Sequence, residues 1–500
     1  MNLKSLAKDT ALYGLSSIVG RFLNYLLVPL YTYYIAAESG GYGIVTNLYA
    51  YTALLLALLT FGMETTLFRF CNKDGEDDRM VYSTTLRLVG GVALLFAVLV
   101  LGLVRPISGA LGYSAHPEYI GCMALIVAQD AFQAIMFSRL RQQGRPVRFV
   151  SLKFAFIIPN VILNVACFIL LPKLFHHFPG LEAVWQRFDY GVGFIFFINF
   201  ICTTAVSFLF LPEIKGIFHG WDGKLAKRML TYTWPLLLLG IVGILNQVAD
   251  KILYPWLVPG EEGKVQLGIY GACAKIALIM SVLTQAFRYA YEPIVFNGSR
   301  DKDSPETLSD GMKYFVIFTL LAFLGVMFFL PLLRYLAGSG DYWEGLKVVP
   351  VVMMAEIFMG IYFNLSFWYK LSDKTIWGAI MSAVSAAVMI GVNVAFVPRY
   401  GYIACAWGGF AGYGTAMLMS YFIGQKKYPI KYELKGILAA FALALALYGA
   451  SKGLGRLMGL APDSPLGWKS FCWMGANLIL IGIYCLFIWK SLSLRPVGKK

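Results

Sequence analysis

The strongest constraint on this chain is that its apolar blocks come twice. Leu6-Ala7-Lys8 opens one hydrophobic stretch, and Leu225-Ala226-Lys227 opens another. The run from Gly41-Tyr42-Gly43 to Phe70 has a counterpart from Gly268-Ile269-Tyr270-Gly271 to Phe296, with Glu64 and Glu292 near the two ends. Asp130 answers Glu356, Asn164 answers Asn393, and Pro172 answers Pro398. From the glycine motifs onward the offset stays at about 226–229 residues, as a duplicated unit requires. Each block is ~20 residues long, enough for a helix to cross ~30 Å of hydrocarbon. Leu86–Val104 is one example, and Ile437–Ala450 with its flanks is another. Membrane strands would alternate over ~10 residues, and nothing here alternates for long. The expected fold class is all-α and polytopic.

Composition agrees. The 500 residues are 59% hydrophobic and 14% charged, whereas a soluble globular chain has about 45–50% and about 25%. The formal charge of +15 invites a nucleic-acid partner, but its distribution excludes one. Basic residues gather in alternate loops: Arg139, Arg141, Arg145, Arg148 and Lys153, then Lys215, Lys224, Lys227 and Arg228. Lys426, Lys427, Lys431 and Lys435 form a third cluster, and Lys490, Arg495, Lys499 and Lys500 close the chain. The intervening loops hold isolated cations such as Arg105, Lys173, Lys264 and Arg399. About 27 Lys/Arg fall on the clustered side and about 10 on the other, which places the clustered side in the cytoplasm.

Fourteen spans are expected, at about 9–35, 44–67, 84–105, 118–138, 149–171, 190–211, 231–257, 267–291, 313–337, 346–369, 376–397, 402–424, 436–455 and 468–489. Both termini then lie in the cytoplasm. The predicted organisation is a six-helix bundle over residues 1–223, its repeat over 224–430, and two further spans with a basic tail over 431–500. An even number of spans per half makes the repeats parallel, a build typical of secondary transporters. The N-terminus, Met1-Asn2-Leu3-Lys4, runs straight into a span and does not resemble a cleavable signal peptide.

Soluble-enzyme chemistry is missing from the sequence. No Gly-rich loop ends in Gly-Lys-Ser/Thr, and no His-Glu-x-x-His occurs. His176-His177 reads as two loop histidines, and the eight cysteines have no metal-ligand spacing. Neither a metal nor a cofactor is expected.

Intramembrane charges are the informative residues, since each costs at least ~2.5–3.5 kcal/mol at mid-depth. Arg21 lies about twelve residues into the first span, near the midplane at ~1.5 Å per residue, with Asn24 one turn on. The functional reading is an anion clamp, and the structural one is a bridge to Asp130 or Glu356. These two carboxylates occupy equivalent depths in spans four and ten, where each either pairs with Arg21 or takes up a proton. Asp250 and Lys275 sit at similar depth on consecutive antiparallel spans, which favours a structural ion pair; Lys251, next in sequence, is expected to point elsewhere. Arg288 and Glu292 share one helix face, and Glu64 is the first-half equivalent of Glu292. Arg288 and Arg87 are candidates for gathering an anionic headgroup at the cytoplasmic mouth. Most of the aromatics, among them Tyr31, Tyr33, Tyr34, Tyr362, Trp368 and Tyr369, are expected in the interfacial belts.

Three stretches carry a family resemblance: Leu6-Ala7-Lys8-Asp9-Thr10-Ala11-Leu12-Tyr13-Gly14, Glu38-Ser39-Gly40-Gly41-Tyr42-Gly43, and Asn393 through Pro398-Arg399-Tyr400-Gly401 to Ala406. They resemble the polysaccharide-transporter branch of the multidrug/oligosaccharidyl-lipid/polysaccharide exporter superfamily, which includes bacterial O-antigen and capsule repeat-unit flippases. The resemblance implies two six-helix bundles around a central cavity. It also implies alternating access that moves an undecaprenyl-pyrophosphate-linked oligosaccharide between leaflets of the bacterial cytoplasmic membrane. Arg21 matches a first-span cation of such cavities, whereas Asp130 and Glu356 depart from a uniformly cationic lining. The pathway's polymerase and glycosyltransferases are the partners this implies. Spans thirteen and fourteen correspond to a lipid-tail groove in the related peptidoglycan-precursor flippase.

Three other readings compete. A cation-coupled multidrug exporter usually has about twelve spans, and a midplane Arg would repel its cationic substrates. A membrane-bound polymerase or glycosyltransferase would need a sizeable external loop or an acidic catalytic motif, and neither is present. The peptidoglycan-precursor flippase shares the chemistry on a different headgroup.

Overall fold

The computed structural model describes residues 23, 25–175, 177–298, 304–372, 374–460 and 464–493. Every regular element among them is helical. We label the long helices α1 (25–34), α2 (Gly41–Cys71), α3 (Asp78–Gly102), α4 (Pro117–Gln142), α5 (Pro146–Leu174), α6 (Asp189–Leu209) and α7 (Gly223–Leu257). They continue with α8 (Glu261–Glu292), α9 (Pro305–Phe328), α10 (Gly340–Leu371), α11 (Ile376–Tyr400), α12 (Tyr402–Lys427), α13 (Leu434–Leu457) and α14 (Trp468–Lys490). Twelve of these are long and apolar enough to cross a membrane, and each overlaps one predicted span. The chain is an all-α, polytopic membrane protein.

The two remaining predicted spans differ for separate reasons. Most of the first lies outside the described residues; of it, residues 23 and 25–34 are described as helix. The twelfth is a continuous 26-residue helix, α12. Gly408, Gly409, Gly412, Gly414, Gln425, Lys426 and Lys427 lower its mean hydropathy below that of the other twelve.

Helix starts follow local chemistry. Asp77 caps α3 by accepting from the Arg79 amide, and Pro117 and Pro146 occupy the first turns of α4 and α5, where no amide donor is missed. α2 is broken near its end. Phe61 and Gly62 both adopt left-handed φ, at 33° and 73°, so Met63–Cys71 starts afresh as a short second helix. Thr233 of α7 donates to the Phe61 carbonyl that this break releases.

The chain divides into two compact units, Met1–Gly268 and Ile269–Lys500. This packing boundary falls inside α8, later than the repeat boundary expected at 223/224, because α7 lies along α2. In the first unit α3 packs on α4, α4 on α6 and α2, and α5 on α6. Its core runs from Met63, Leu67 and Leu86 through Val127, Ala131 and Ile135 to Leu225 and Met229. Gly40, Gly43 and Gly268 allow the start of α2 to approach the backbone around Lys264, with Gly40 at φ 66°.

In the second unit α12 packs between α10 and α11, and α9 carries the additional pair. Phe323 of α9 meets Tyr448 of α13 edge-on at 5.5 Å, and Tyr484 of α14 donates to the Ile317 carbonyl at 3.4 Å. Lys313 of α9, almost fully buried, pairs at 2.8 Å with Glu433, just before α13. The last two helices are thus tied to the unit by packing and by an ion pair. Outward-facing Leu438, Leu445, Leu478, Ile479 and Leu486 leave an apolar outer face of the kind a bilayer covers.

Candidate functional site

Each unit carries one of the two acids expected to correspond, Glu64 and Glu292. In the first, the break in α2 sets Glu64 in the first turn of a helix, where the exposed amides favour a carboxylate. Arg141, from the end of α4, reaches it at 3.1 Å, and Ser138 Oγ donates to the same oxygen at 3.1 Å. In the second unit Glu292 receives Arg288 at 3.1 Å from its own helix and Lys370 at 3.8 Å from the end of α10. Arg288 and Lys370 both stand over the Phe363 ring, at 4.4 and 4.3 Å. Glu64 and Glu292 differ by 228 positions and Arg141 and Lys370 by 229, within the offset expected from the sequence for a repeat.

Deeper in the first unit lies a polar seam. Gln133 of α4 donates to Ser207 Oγ and to the Thr203 carbonyl, both at 2.9 Å, and Ser207 donates to Gln129 at 3.0 Å. Asn199 continues the chain to the Tyr49 hydroxyl at 2.7 Å. Asp130 is half-buried beside this seam, within the electrostatic reach of Tyr49 and of Lys153 on α5. Lys153 also feels Glu64 and Arg141, and its ammonium sits 4.0 Å above the Phe137 ring. Electrostatic contact therefore extends from the exposed Glu64–Arg141 pair inward through Lys153 to Asp130.

The other predicted residues fall as follows. Arg21 and Asn24 lie outside the described residues. Arg87 turns its guanidinium fork onto one carbonyl, that of Ile217, with Nε at 3.0 Å and Nη2 at 2.8 Å, and so braces α3 against the segment before α7. Arg288 belongs to the second unit and Arg87 to the first. Glu356 is half-buried on α10. One expectation is overturned: Lys251 does not point away from Asp250 but closes on both its oxygens, at 3.0 and 2.9 Å. Neighbouring residues on a helix diverge by about 100°, yet a four-carbon stem is long enough to bend back. Asp250 belongs to the first unit and Lys275 to the second.

Nearby, Asn47 of α2 links α7 to the loop before α4, donating to the Lys251 carbonyl and accepting from Tyr113, each at 2.7 Å. Burial pushes the Tyr113 hydroxyl well above its usual range, so it stays a donor. Sequence reading misses Lys153, Arg141 and Lys370 as partners. It groups Lys153 with loop cations, although this residue stands seven residues into the apolar helix that opens at Pro146. Among the described residues no group of His, Cys, Asp and Glu is placed to hold a metal ion.

Comparison with known proteins bears on this architecture. A solved structure of the lipid II flippase MurJ in an inward closed conformation superposes with a TM-score of 0.72 at 15% identity, covering 97% of this chain and all of that one. An inward-facing multidrug resistance MATE family transporter of the MOP superfamily gives 0.63 at 14% identity, covering 87% and 96%. The MATE multidrug transporter DinF-BH gives 0.56 at 16% identity, covering 85% and 96%. At these identities the likeness establishes a shared fold. No protein of curated function matches the sequence significantly. Residues 6–295, more than half of the chain, match the family described as polysaccharide biosynthesis protein, and the chain belongs to that family.

Proposed function

We propose that this protein is a flippase for lipid-linked sugars. It carries undecaprenyl-pyrophosphate-linked oligosaccharide repeat units across the bacterial cytoplasmic membrane by alternating access, for O-antigen, capsule or a similar surface polysaccharide. One observation carries the reading. The superposition on the lipid II flippase takes in 97% of the chain, whereas the drug transporters leave out 13–15% of it, about the length of the α13–α14 segment. A helix pair beyond the twelve spans of a drug exporter suits a substrate with a long hydrocarbon tail. Membership in the polysaccharide biosynthesis family favours a surface-glycan repeat unit over the peptidoglycan precursor, which is the second reading the shared fold supports.

The physical problem such a protein solves is the diphosphate. A bilayer opposes that group most strongly, and a fixed guanidinium binds phosphate through two parallel hydrogen bonds. Arg21, near mid-depth by its position in the sequence, is the clamp in this reading, with Asn24 beside it. The sugar travels in a wetted path while the prenyl chain stays in lipid, and no covalent step is required. The excess of Lys and Arg in alternate loops of the sequence supports an orientation with that side, and both termini, in the cytoplasm. Asp130 and Glu356 take the coupling role, and the pathway's polymerase and glycosyltransferases act before and after transport.

The deciding experiment deletes the gene in its host and extracts the lipids. Completed polyprenyl-pyrophosphate oligosaccharide should accumulate while one surface polysaccharide disappears. Intact surface glycans without accumulation would overturn the reading.

A further inference from the structure

The cluster of Lys224, Lys227 and Arg228 first reads as an orientation signal and nothing more. In the structure these residues, with Lys73, Asp222 and Thr231, line an open pocket of about 670 Å³. It lies wholly within the first unit, between the end of α2 and the start of α7.

Two of its charges are already matched. Arg228 grips Glu76 through both terminal nitrogens, at 2.5 and 3.1 Å. Asp222 accepts from the backbone amides of Lys224 and Leu225, at 2.8 and 3.1 Å, and so caps α7. Lys73, Lys224 and Lys227 are exposed and have no ion-pair partner among the described residues. Lys73 merely leans over the Phe70 ring at 5.7 Å. Three ammonium groups held around one hollow repel one another until a multiply charged anion fills it.

The hollow does not end in water on every side. Lys227 and Thr231 belong to a face of α7 that continues through Trp234 and Leu238, the i, i+4, i+7, i+11 spacing of one helical stripe. Trp234 is 59% exposed and Leu238 46% exposed. A cationic pocket thus opens onto an apolar track on a membrane-spanning helix. A free anion would use the pocket alone, whereas an amphiphile with a phosphorylated head would use both.

We propose that this pocket is a landing site for the diphosphate head of a prenyl lipid, whose chain lies along Trp234 and Leu238. The site would hold the lipid before entry. A diphosphate carries more than one negative charge and matches three unpartnered amines. A phosphodiester phospholipid carries one and would leave two amines uncompensated. The choice of a prenyl lipid rests on the flippase reading; the charge arrangement does not.

The test uses the full-length protein in phosphatidylcholine nanodiscs, titrated with farnesyl diphosphate, inorganic pyrophosphate and phosphatidylglycerol. The triple substitution Lys73→Gln, Lys224→Gln, Lys227→Gln should weaken farnesyl diphosphate binding by at least ~10-fold and leave phosphatidylglycerol binding almost unchanged. Trp234→Ala should weaken farnesyl diphosphate several-fold without affecting pyrophosphate. All four side chains are exposed, so the thermal transition should not move; Lys224→Gln alone serves where the triple variant does not fold. Unchanged farnesyl diphosphate affinity overturns the proposal. So does an equal loss of phosphatidylglycerol, which would mark a general anionic-lipid site, or pyrophosphate binding as tight as the lipid's, which would mark a soluble-anion site. Because no glycan or transport enters the assay, failure of the flippase reading in the deletion host leaves this result standing, and the converse also holds.

Discussion

Arg141 meets Glu64 at 3.1 Å, and Lys370, 229 positions further along the chain, stands 3.8 Å from Glu292. Both members of the first pair are well exposed, at 41% for the Glu64 side chain and 39% for Arg141, so the contact is worth about 0–1 kcal/mol of stability at most. If the expected repeat holds, a pair of so little structural value at both of its positions is better explained by a role in the proposed transport than by stability. Glu64→Gln and Glu292→Gln should each reduce repeat-unit translocation several-fold while the thermal midpoint moves by no more than ~2 °C. Exchanging the charges, Glu64→Arg with Arg141→Glu, should restore part of it. Full transport in both single variants would leave the pairs as surface ornaments of two helix ends.

The interior charges behave differently because water screens them less. Removing one partner of a sheltered pair strands the other, which is worse than removing both. Asp130→Asn and Lys153→Met should therefore each destabilise the purified protein by about 1–3 kcal/mol, and the double variant by less than the sum. Thermal unfolding in detergent reads this directly. Strict additivity would mean that Asp130 and Lys153 do not sense one another, and the electrostatic contact from Glu64 would then end at Lys153.

The glycine at the head of α2 offers a backbone test with a built-in control. A methyl group on Gly43 would overlap the Lys264 carbonyl oxygen, whereas one on Gly91, in the middle of α3, meets nothing within 4 Å. Gly43→Ala should cost about 1–3 kcal/mol through overpacking. Gly91→Ala should be neutral or gain up to about 1 kcal/mol from helix propensity. Equal midpoints for the two variants would show that α2 and the Lys264 backbone separate freely.

Much of this architecture is legible in the sequence, for a simple reason. Lipid admits only segments that satisfy their own backbone, so each ~20-residue apolar block has to be a helix. What periodicity cannot supply is direction. That α7 lies along α2 depends on the Thr233 contact at the α2 break and on Asn47 reaching the Lys251 carbonyl, which no spacing encodes. Arg87 is available for an anion by its position alone, yet its fork is closed on Ile217. Lys251 should diverge from Asp250 as adjacent helix positions do, and only the reach of its stem brings them together. Positions of charges along the chain are readable; the partners chosen by long side chains are not.

Arg21 remains the residue on which the transport reading depends most. The proposal rests on the place of Arg21 about twelve residues into a ~27-residue apolar stretch, which at ~1.5 Å per residue is the expected mid-depth of a span. A guanidinium there is tolerated only against an anion or in a wetted path. If it grips the diphosphate, Arg21→Ala should abolish translocation and cause the lipid-linked repeat unit to accumulate as in the gene deletion, with normal protein levels in the membrane. Arg21→Lys keeps the charge but loses the planar fork, so it should retain part of the activity, roughly a tenth or more. A purely structural bridge to Asp130 or Glu356 predicts another pattern: Arg21→Ala would lower protein levels, and neutralising the partner carboxylate would rescue them. Translocation at the wild-type rate in a well-expressed Arg21→Ala protein would remove the clamp from the mechanism and leave the basic ends of the helices as the main source of anion selectivity.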